Sequence, residues 1–212
     1  MARVLMTGFA PFGGESVNPS WQAVSRVAAR RADVAAVELP CEFSTSLPAL
    51  RAAIEEHRPS LVVCVGQAGG RAEVTPERVA VNLIDARIPD NAGEQPVDVP
   101  VVPGGPAAYF TTLPVKACVA AIREAGVPAS VSHTAGTYVC NQVFYGLMHL
   151  LPEFPGVRGG FVHVPFSPEQ VAASGKAAPS LSVDRIADAL EALADTAVKT
   201  TEDLVVSAGA EH

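Results

Sequence analysis

The chain has 212 residues, of which 49% are hydrophobic and 17% are charged, and this is enough apolar content for one buried core. Its formal net charge is −7 and its basic residues form no cluster, so nucleic acid and anionic membranes are excluded as expected partners. No run approaches the roughly 18 apolar residues of a membrane-spanning helix, and the first residues lack the pattern of a signal peptide. We therefore expect one cytoplasmic domain over residues 1–212, with a frayed tail after Thr200.

The first third of the chain alternates predicted strands with predicted helices. Asn18 followed by Pro19 marks the start of the first helix, because asparagine caps helices and proline suits the first helical position. We predict strands at 4–7, 34–39 and 61–65, with helices at 19–31 and 44–57 between them. This alternation is typical of a largely parallel sheet that is covered by helices on both faces.

The rest of the chain is predicted to add three strands and three helices. A strand is expected at 78–86, followed by a long ordered loop at 89–106 that is rich in proline and glycine. The later elements are a helix that follows Pro114 and runs to about 125, a strand at 129–132 and a helix starting close to Cys140. They end with a strand at 161–165 and a closing amphipathic helix capped by Ser182.

The four cysteines lie far apart, with no Cys-x-x-Cys pair, which argues against a metal site and against structural disulfides. Cys41, Cys64 and Cys118 are interpreted as small buried hydrophobic residues. Cys140 differs, because it lies where a predicted strand turns into a helix, and a helix start stabilises a thiolate. A purely structural role for Cys140 stays open on placement alone.

A nucleophilic cysteine needs a base, and His163 is the first candidate. It lies in the middle of a predicted strand, where an imidazole requires a hydrogen-bond partner; a core histidine bonded to a backbone carbonyl is the alternative. His133 is the second candidate, since it precedes the cysteine by seven residues. His57 at a helix end and the terminal His212 are less constrained.

Glu77 is the candidate for the group that orients the imidazole. It lies at the mouth of a predicted strand, where loops of an α/β sheet converge, although alone it reads as a surface carboxylate. The glycine-rich segments GFAPFGG and GQAGGR match no nucleotide-binding motif, so tight turns beside a pocket explain them better than a phosphate site.

Five segments of the chain carry a family resemblance when they are taken together. They are MTGFAPFGGESVNPS, GQAGGR, TPERVAVNLIDARIPDNAG, SHTAGTYVCNQVFYGLMH and GGFVHVPFSPEQ, in this order and over most of the chain. In this combination they resemble the pyroglutamyl peptidase type I family, also called pyrrolidone-carboxylate peptidases. The resemblance implies a three-layer α/β/α sandwich with a mostly parallel twisted central sheet, and a catalytic triad of Cys140, His163 and Glu77.

The resemblance also implies residues that contact the substrate. The helix-start amide of Cys140 is one candidate donor to the oxyanion, and Arg87 looks like the family's second. Phe9 and Phe12 resemble a pair that clamps the pyroglutamyl ring, and Gln67 matches a position at the lactam end of the pocket.

Two residues depart from the common pattern of the family. Tyr138 stands where phenylalanine is frequent, and His133 replaces a frequent asparagine. The hydroxyl of Tyr138, near the expected lactam site, either donates a hydrogen bond or is left unsatisfied and weakens binding.

We therefore expect a cysteine exopeptidase that removes N-terminal pyroglutamate from peptides through a thioester, without a metal or organic cofactor. A homotetramer is implied by the family resemblance. One competing interpretation is a catalytically silent α/β protein that binds a small lactam or nucleoside. Another is a purine phosphorylase whose glycine-rich loops bind phosphate.

Overall fold

A computed structural model of the chain describes residues 3–175 and 177–210, so His212 lies outside the described residues. The helices and strands are, in chain order, β1 (Val4–Phe9), α1 (Pro19–Arg30), β2 (Val34–Leu39), α2 (Ser46–His57), β3 (Leu61–Gln67), β4 (Thr75–Pro76), β5 (Val79–Val81), β6 (Ala108–Phe110), α3 (Val115–Glu124), α4 (Val139–Leu150), β7 (Arg158–Val164), α5 (Pro168–Ser174) and α6 (Val183–Lys199).

The central sheet has five strands in the order β2-β1-β3-β7-β4. The first four strands are parallel, and the two-residue strand β4 runs antiparallel to β7 at the edge. Strand β5 pairs only with β6, in a separate antiparallel ribbon. The structure thus confirms the predicted mostly parallel sheet, whose strands are joined by helical crossovers.

Alternate residues of the buried strands point to opposite faces of the sheet. In β1, Val4 and Met6 pack with helices α1, α3 and α6, while Leu5 and Phe9 pack with α2 and α4. Helices therefore cover both faces, and the predicted three-layer α/β/α architecture is confirmed. Within the described ranges, no helix combines the length and apolar character needed to cross a membrane.

Two predicted helix starts are confirmed by their caps. The side chain of Asn18 accepts a hydrogen bond from the backbone N–H of Ser20 at 3.0 Å, and Pro19 opens α1. The hydroxyl of Ser182 accepts from the backbone N–H of Arg185 at 3.4 Å at the start of α6. Each cap satisfies a backbone donor that the first helical turn leaves free.

Two predicted strands are shorter than expected. The strand predicted at 78–86 is reduced to Val79–Val81, because the side chain of Asn141 occupies the backbone groups of Val81 and Leu83 in place of a partner strand. The strand predicted at 129–132 is reduced to two single bridges, made by Ala129 and Ser132 with the segment around β4.

The short elements β4 and α5 were not predicted. Strand β4 has only two residues, and it exists because β7 offers a pairing edge there. Helix α5 has seven residues, which is too few to show a helical repeat of apolar residues in the sequence. Its first residues do carry a capping motif. Ser167 and Gln170 form a capping box, with side chain to backbone bonds in both directions.

The loop at 89–106 is ordered by contacts with the rest of the molecule. The carboxylate of Asp90 accepts hydrogen bonds from the backbone N–H groups of Phe43 at 2.7 Å, Ala92 at 2.9 Å and Glu94 at 2.8 Å. A bridge between Ile84 and Val99 closes the start of the loop. These bonds hold the loop beside the carboxyl edge of the sheet.

The segment after α6 contains no helix or strand among residues 201–210. Its Asp203 accepts hydrogen bonds from the backbone N–H groups of Lys116 at 3.0 Å and Ala117 at 2.9 Å, at the start of α3. This contact caps a helix that begins without a capping residue of its own. The single domain and the frayed tail stay predictions.

Candidate active site

The candidate thiol lies above the carboxyl edge of the central sheet, where β3 and β7 run side by side. Gly66 in β3 is in register with His163 in β7, and Cys140 is the second residue of α4. A Cβ atom built on Gly66 would lie 2.7 Å from the Sγ atom of Cys140. Adjacent strands are about 4.8 Å apart, so the thiol lies one strand away from the histidine.

The imidazole of His163 is held by Glu77. Its Nδ1 atom lies 2.7 Å from Oε1 of Glu77, and both side chains are buried, with 4% and 0% of the residue surface exposed. A carboxylate oxygen only accepts, so Nδ1 carries the proton and donates it. Nε2 is therefore left with a lone pair, as a general base requires.

Arg71 also contacts this carboxylate, and the sequence did not identify it. Its Nη1 donates to Oε1 of Glu77 at 2.7 Å, and its Nη2 donates to the carbonyl of Thr134 at 3.0 Å. The other carboxylate oxygen, Oε2, is buried and has no hydrogen-bond partner in the described part of the chain. Arg71 thus supplies the positive charge that a buried carboxylate needs.

The two residues after Cys140 fix the start of α4. Asn141 accepts a hydrogen bond from the backbone N–H of Val81 at 3.0 Å, and Gln142 donates to the carbonyl of Phe43 at 2.7 Å. Both side chains are buried. They hold the cysteine between strand β5 and the segment before α2, which are distant in sequence. Neither residue was identified from the sequence.

The first turn of α4 offers backbone donors to a ligand. The N-cap residue is Tyr138, and no side chain in the described ranges caps the helix. The N–H groups of Val139, Cys140 and Asn141 consequently have no acceptor within the helix. Arg87, the other predicted oxyanion donor, is exposed and lines the cavity above the thiol.

A cavity of about 440 Å³ joins most of the predicted residues. It is lined by Phe12, Gln67, Asp85, Arg87, Ile88, Ala135, Gly136, Thr137, Tyr138, Cys140 and His163. The second candidate base, His133, lies in a different cavity, beside Arg71 and Thr75. The structure therefore brings His163 rather than His133 to the cysteine.

Aromatic side chains form one wall of this cavity. Phe12 packs against Tyr138 with ring centroids 6.1 Å apart, and Phe43 contacts the other side of Tyr138 edge-on at 5.3 Å. Phe9 is only 1% exposed and packs on Phe161 in the core beneath, at 6.3 Å. Phe12 and Tyr138 are thus the aromatic residues that face the cavity.

The hydroxyl of Tyr138 has a partner in the protein. It donates to the carbonyl of Pro89 at 3.0 Å, two residues after Arg87. The tyrosine therefore leaves no unsatisfied group, and its hydroxyl joins the start of α4 to the loop at 89–106.

Gln67 ends β3 and lines the cavity next to the thiol. Its side-chain oxygen accepts a hydrogen bond of 2.9 Å from the side-chain amide of Gln170 in α5. Gln170 is almost fully buried, at 3% exposure, and was not identified from the sequence.

The surroundings oppose charge on both the thiol and the imidazole. Burial raises the pKa of the Cys140 thiol well above its ordinary 9.0, and the neighbouring negative charge of Glu77 raises it further. Burial lowers the pKa of His163 from 6.5, and its bond to Glu77 only partly offsets this. Both shifts favour a thiol and a neutral imidazole at neutral pH, which is opposite to the thiolate stabilisation expected from the helix start.

A thiol, an imidazole with a free ring nitrogen and a buried carboxylate around one cavity are typical of cysteine hydrolases. Comparison with known families shows which family of cysteine hydrolases the chain resembles. A family model described as pyroglutamyl peptidase matches residues 2–200. The chain belongs to the pyroglutamyl peptidase family of cysteine peptidases.

Named relatives and solved structures agree with this assignment. The chain is 63% identical to the pyrrolidone-carboxylate peptidase of Streptomyces coelicolor and 55% identical to that of Escherichia fergusonii, with 100% of each protein covered. The crystal structure of Bacillus amyloliquefaciens pyroglutamyl peptidase I is 52% identical, with a TM-score of 0.92 over 96% of this chain and 100% of that one. A mutant pyrrolidone carboxyl peptidase from Pyrococcus furiosus is 39% identical, with a TM-score of 0.86 over 92% and 98% of the two chains.

Proposed function

We propose that this protein hydrolyses the amide bond after an N-terminal pyroglutamyl residue, with Cys140 as nucleophile, His163 as general base and Glu77 as the group that orients the imidazole. One observation carries the proposal. The bond of 2.7 Å from Nδ1 of His163 to Glu77 leaves Nε2 free in the same cavity as the thiol. The family membership supplies the class of substrate.

The first half of the reaction forms a thioester. Nε2 of His163 takes the thiol proton while Sγ of Cys140 attacks the carbonyl carbon that links pyroglutamate to the next residue. The oxyanion is stabilised by the backbone N–H of Cys140 at the start of α4, with Arg87 as a second donor. The tetrahedral intermediate collapses, the C–N bond breaks, and the imidazolium gives its proton to the departing amine.

The second half of the reaction releases pyroglutamate. A water molecule donates a proton to Nε2 of His163 and attacks the thioester carbonyl, and the same donors stabilise the second oxyanion. The C–S bond then breaks, the thiolate of Cys140 recovers a proton from the imidazolium, and the resting thiol is restored. Glu77 holds the imidazole throughout, because its Oε1 accepts from His163, and Arg71 donates to the same oxygen.

Recognition of the pyroglutamyl ring is assigned to the aromatic wall and to amide contacts. The ring is a neutral lactam without an ammonium group, so it requires an apolar surface and a few aimed hydrogen bonds. Phe12 and Tyr138 provide the surface, and Gln67 lies at the lactam end. Phe9, the other residue that the family resemblance assigns to the ring, packs on Phe161 in the core and does not line the cavity.

The cellular setting is part of the proposal. We expect a cytoplasmic enzyme that acts on N-pyroglutamyl peptides without nucleic acid or membrane partners. The family resemblance further implies a homotetramer.

Turnover and alkylation should depend differently on pH. The turnover rate is expected to be maximal at neutral pH, because His163 must be neutral to act as a base. Burial lowers the pKa of His163, so the rate should fall only when the pH drops below about 6.5. Alkylation of Cys140 by iodoacetamide needs the thiolate, so its rate should still be rising above pH 9.0. Both profiles are measured on the wild-type protein. An alkylation rate that levels off below about pH 7 would indicate a preformed thiolate and contradict the assignment of a neutral resting pair.

The function itself is tested with a pyroglutamyl anilide, and a prolyl anilide is the control for ring shape. We expect the freshly reduced protein to release the chromophore from the pyroglutamyl substrate. Its kcat/KM for the prolyl substrate should be at least about a thousandfold lower, because a site built for a polar ring rejects an analogue that lacks the carbonyl. Absence of turnover would favour a silent binding protein over an enzyme.

A further inference from the structure

The side-chain amides of Gln67 and Gln170 contact each other at the edge of the candidate cavity. Nε2 of Gln170 donates to Oε1 of Gln67 at 2.9 Å, although the residues are 103 positions apart. Nε2 of Gln170 also lies 3.2 Å from the carbonyl of Val17 and 3.5 Å from a carboxylate oxygen of Glu15. The contact joins the end of β3 to α5.

The direction of this hydrogen bond is fixed by backbone groups. Oε1 of Gln170 accepts from the backbone N–H of Ser167 at 3.1 Å, in the capping box of α5. An N–H only donates, so the oxygen of the Gln170 amide must be the end that faces Ser167. Its NH₂ group then faces the carbonyl of Val17 and Gln67, and Gln67 must present its oxygen.

The remaining end of the Gln67 amide is a donor. Its Nε2 has no hydrogen-bond partner in residues 3–175 and 177–210, while the residue lines the cavity that contains Cys140. Without Gln170, the amide of Gln67 could rotate and present either end, because oxygen and NH₂ have the same shape. The bond from the backbone N–H of Ser167 to Oε1 of Gln170 thus determines, through Gln170, which group of Gln67 faces a ligand.

Close packing of the surrounding residues fixes the distance between the two glutamines. Phe166 precedes α5, and its ring lies directly on the turn after β3, so that a Cβ on Gly69 would be 2.2 Å from its Cζ atom. The backbone N–H of Ala68 also donates to the carbonyl of Val164 at 2.9 Å. The distance between β3 and α5 is therefore set by the packing of Phe166 and a backbone hydrogen bond as well as by the glutamines.

We propose that Gln170 is a positioning residue for substrate selectivity, which holds Gln67 so that its NH₂ group donates to the ring carbonyl of the lactam. The inference rests on the proposed function, since it assigns the group of the substrate that this end of the cavity recognises. A ring carbonyl accepts from an NH₂ group and is repelled by an amide oxygen. The orientation of one amide thereby separates a lactam ring from a ring without a carbonyl.

The test is a double-mutant cycle on the KM for a pyroglutamyl anilide. Gln170→Met removes the donor and acceptor at similar side-chain length, and we expect KM to rise about tenfold with kcat changed less than about threefold. Gln170→Glu should raise KM further, because a carboxylate accepts from Gln67 and turns its oxygen toward the lactam. In a Gln67→Met background, Gln170→Met should have no further effect on KM.

A matched control separates positioning from helix capping. Ser167→Ala removes the other half of the capping box, in which Oγ of Ser167 accepts from the backbone N–H of Gln170, and leaves the contact between the two glutamines in place. We expect it to lower the unfolding temperature without raising KM. The inference is wrong if Ser167→Ala raises KM as much as Gln170→Met does, or if Gln170→Met acts equally with and without Gln67.

A second measurement tests this inference separately from the proposed function. The lactam ring alone, supplied as 2-pyrrolidinone, should protect Cys140 from iodoacetamide in the wild type and about tenfold less well in Gln170→Met. Protection that depends on Gln170 without any turnover would refute the proposed function and support the amide orientation. Turnover with a KM and a protection that are both insensitive to Gln170 would refute the orientation alone.

Discussion

Replacement of Cys140 by serine is expected to reduce kcat/KM for a pyroglutamyl anilide by at least about a thousandfold. A serine hydroxyl is a far weaker acid than a thiol, so the neutral imidazole of His163, which lines the same cavity, removes its proton much less readily. KM should change much less than kcat, since the ring-binding residues are untouched. The measurement compares both constants in freshly reduced protein.

Cys118→Ala is the matched control for this substitution. Cys118 is fully buried between α3 and α6, where burial raises the pKa of its thiol to about 12, so it is unreactive at neutral pH. Its loss should lower stability and leave turnover unchanged. If Cys140→Ser retained activity, or if both variants lost it to the same extent, Cys140 would not be the nucleophile.

Most of the fold could be predicted because the central strands are buried on both faces. The runs of β1 and β3 are mostly apolar and almost entirely buried, and the first helix between them, α1, begins with a clear cap. The prediction was poorer where a segment is paired by side chains or by a single bridge. The side-chain amide of Asn141 bonds to the backbone N–H and carbonyl of Val81, where a neighbouring strand would otherwise pair. No local sequence pattern predicts such a contact.

The candidate triad could be identified from the sequence because each member lies in its own recognisable segment. The contacts among these residues and their neighbours could not be predicted from the sequence. Arg71 was missed although it lies in the quoted segment GQAGGR, because its role depends on Glu77 being buried beside it. Gln170 was missed for a similar reason, since its contact with Gln67 joins helix α5 to the end of strand β3, which is distant in sequence.

Strand β3 was predicted correctly, but pairing with β7 extends it to two residues at the candidate site. It was predicted to end at Val65, because Gly66 and Gln67 have little preference for strands. In the structure these two residues continue the strand, since they pair with His163 and Val164 of β7. The added positions are the ones that face the cysteine and the lactam end of the cavity.

Gly66 therefore has a testable role, and Gly66→Ala is expected to lower kcat/KM about a hundredfold. A Cβ atom at this position would lie 2.7 Å from Sγ of Cys140 and 2.8 Å from the ring of Phe161. Phe161 is fully buried and cannot move away, so the thiol must be displaced from its position beside His163. A displacement of about 1 Å is enough for a loss of this size.

Gly146→Ala provides the control, because it crowds the core at the same helix without touching the thiol. Its Cβ would lie 2.2 Å from a methyl group of Leu47, on the side of α4 that packs against α2. Both substitutions should lower the free energy of unfolding, by about 1–3 kcal/mol for an overpacked core. Only Gly66→Ala should reduce turnover and change the rate at which iodoacetamide alkylates Cys140. Equal losses of activity in the two variants would show that general destabilisation, and not the position of the thiol, accounts for the effect.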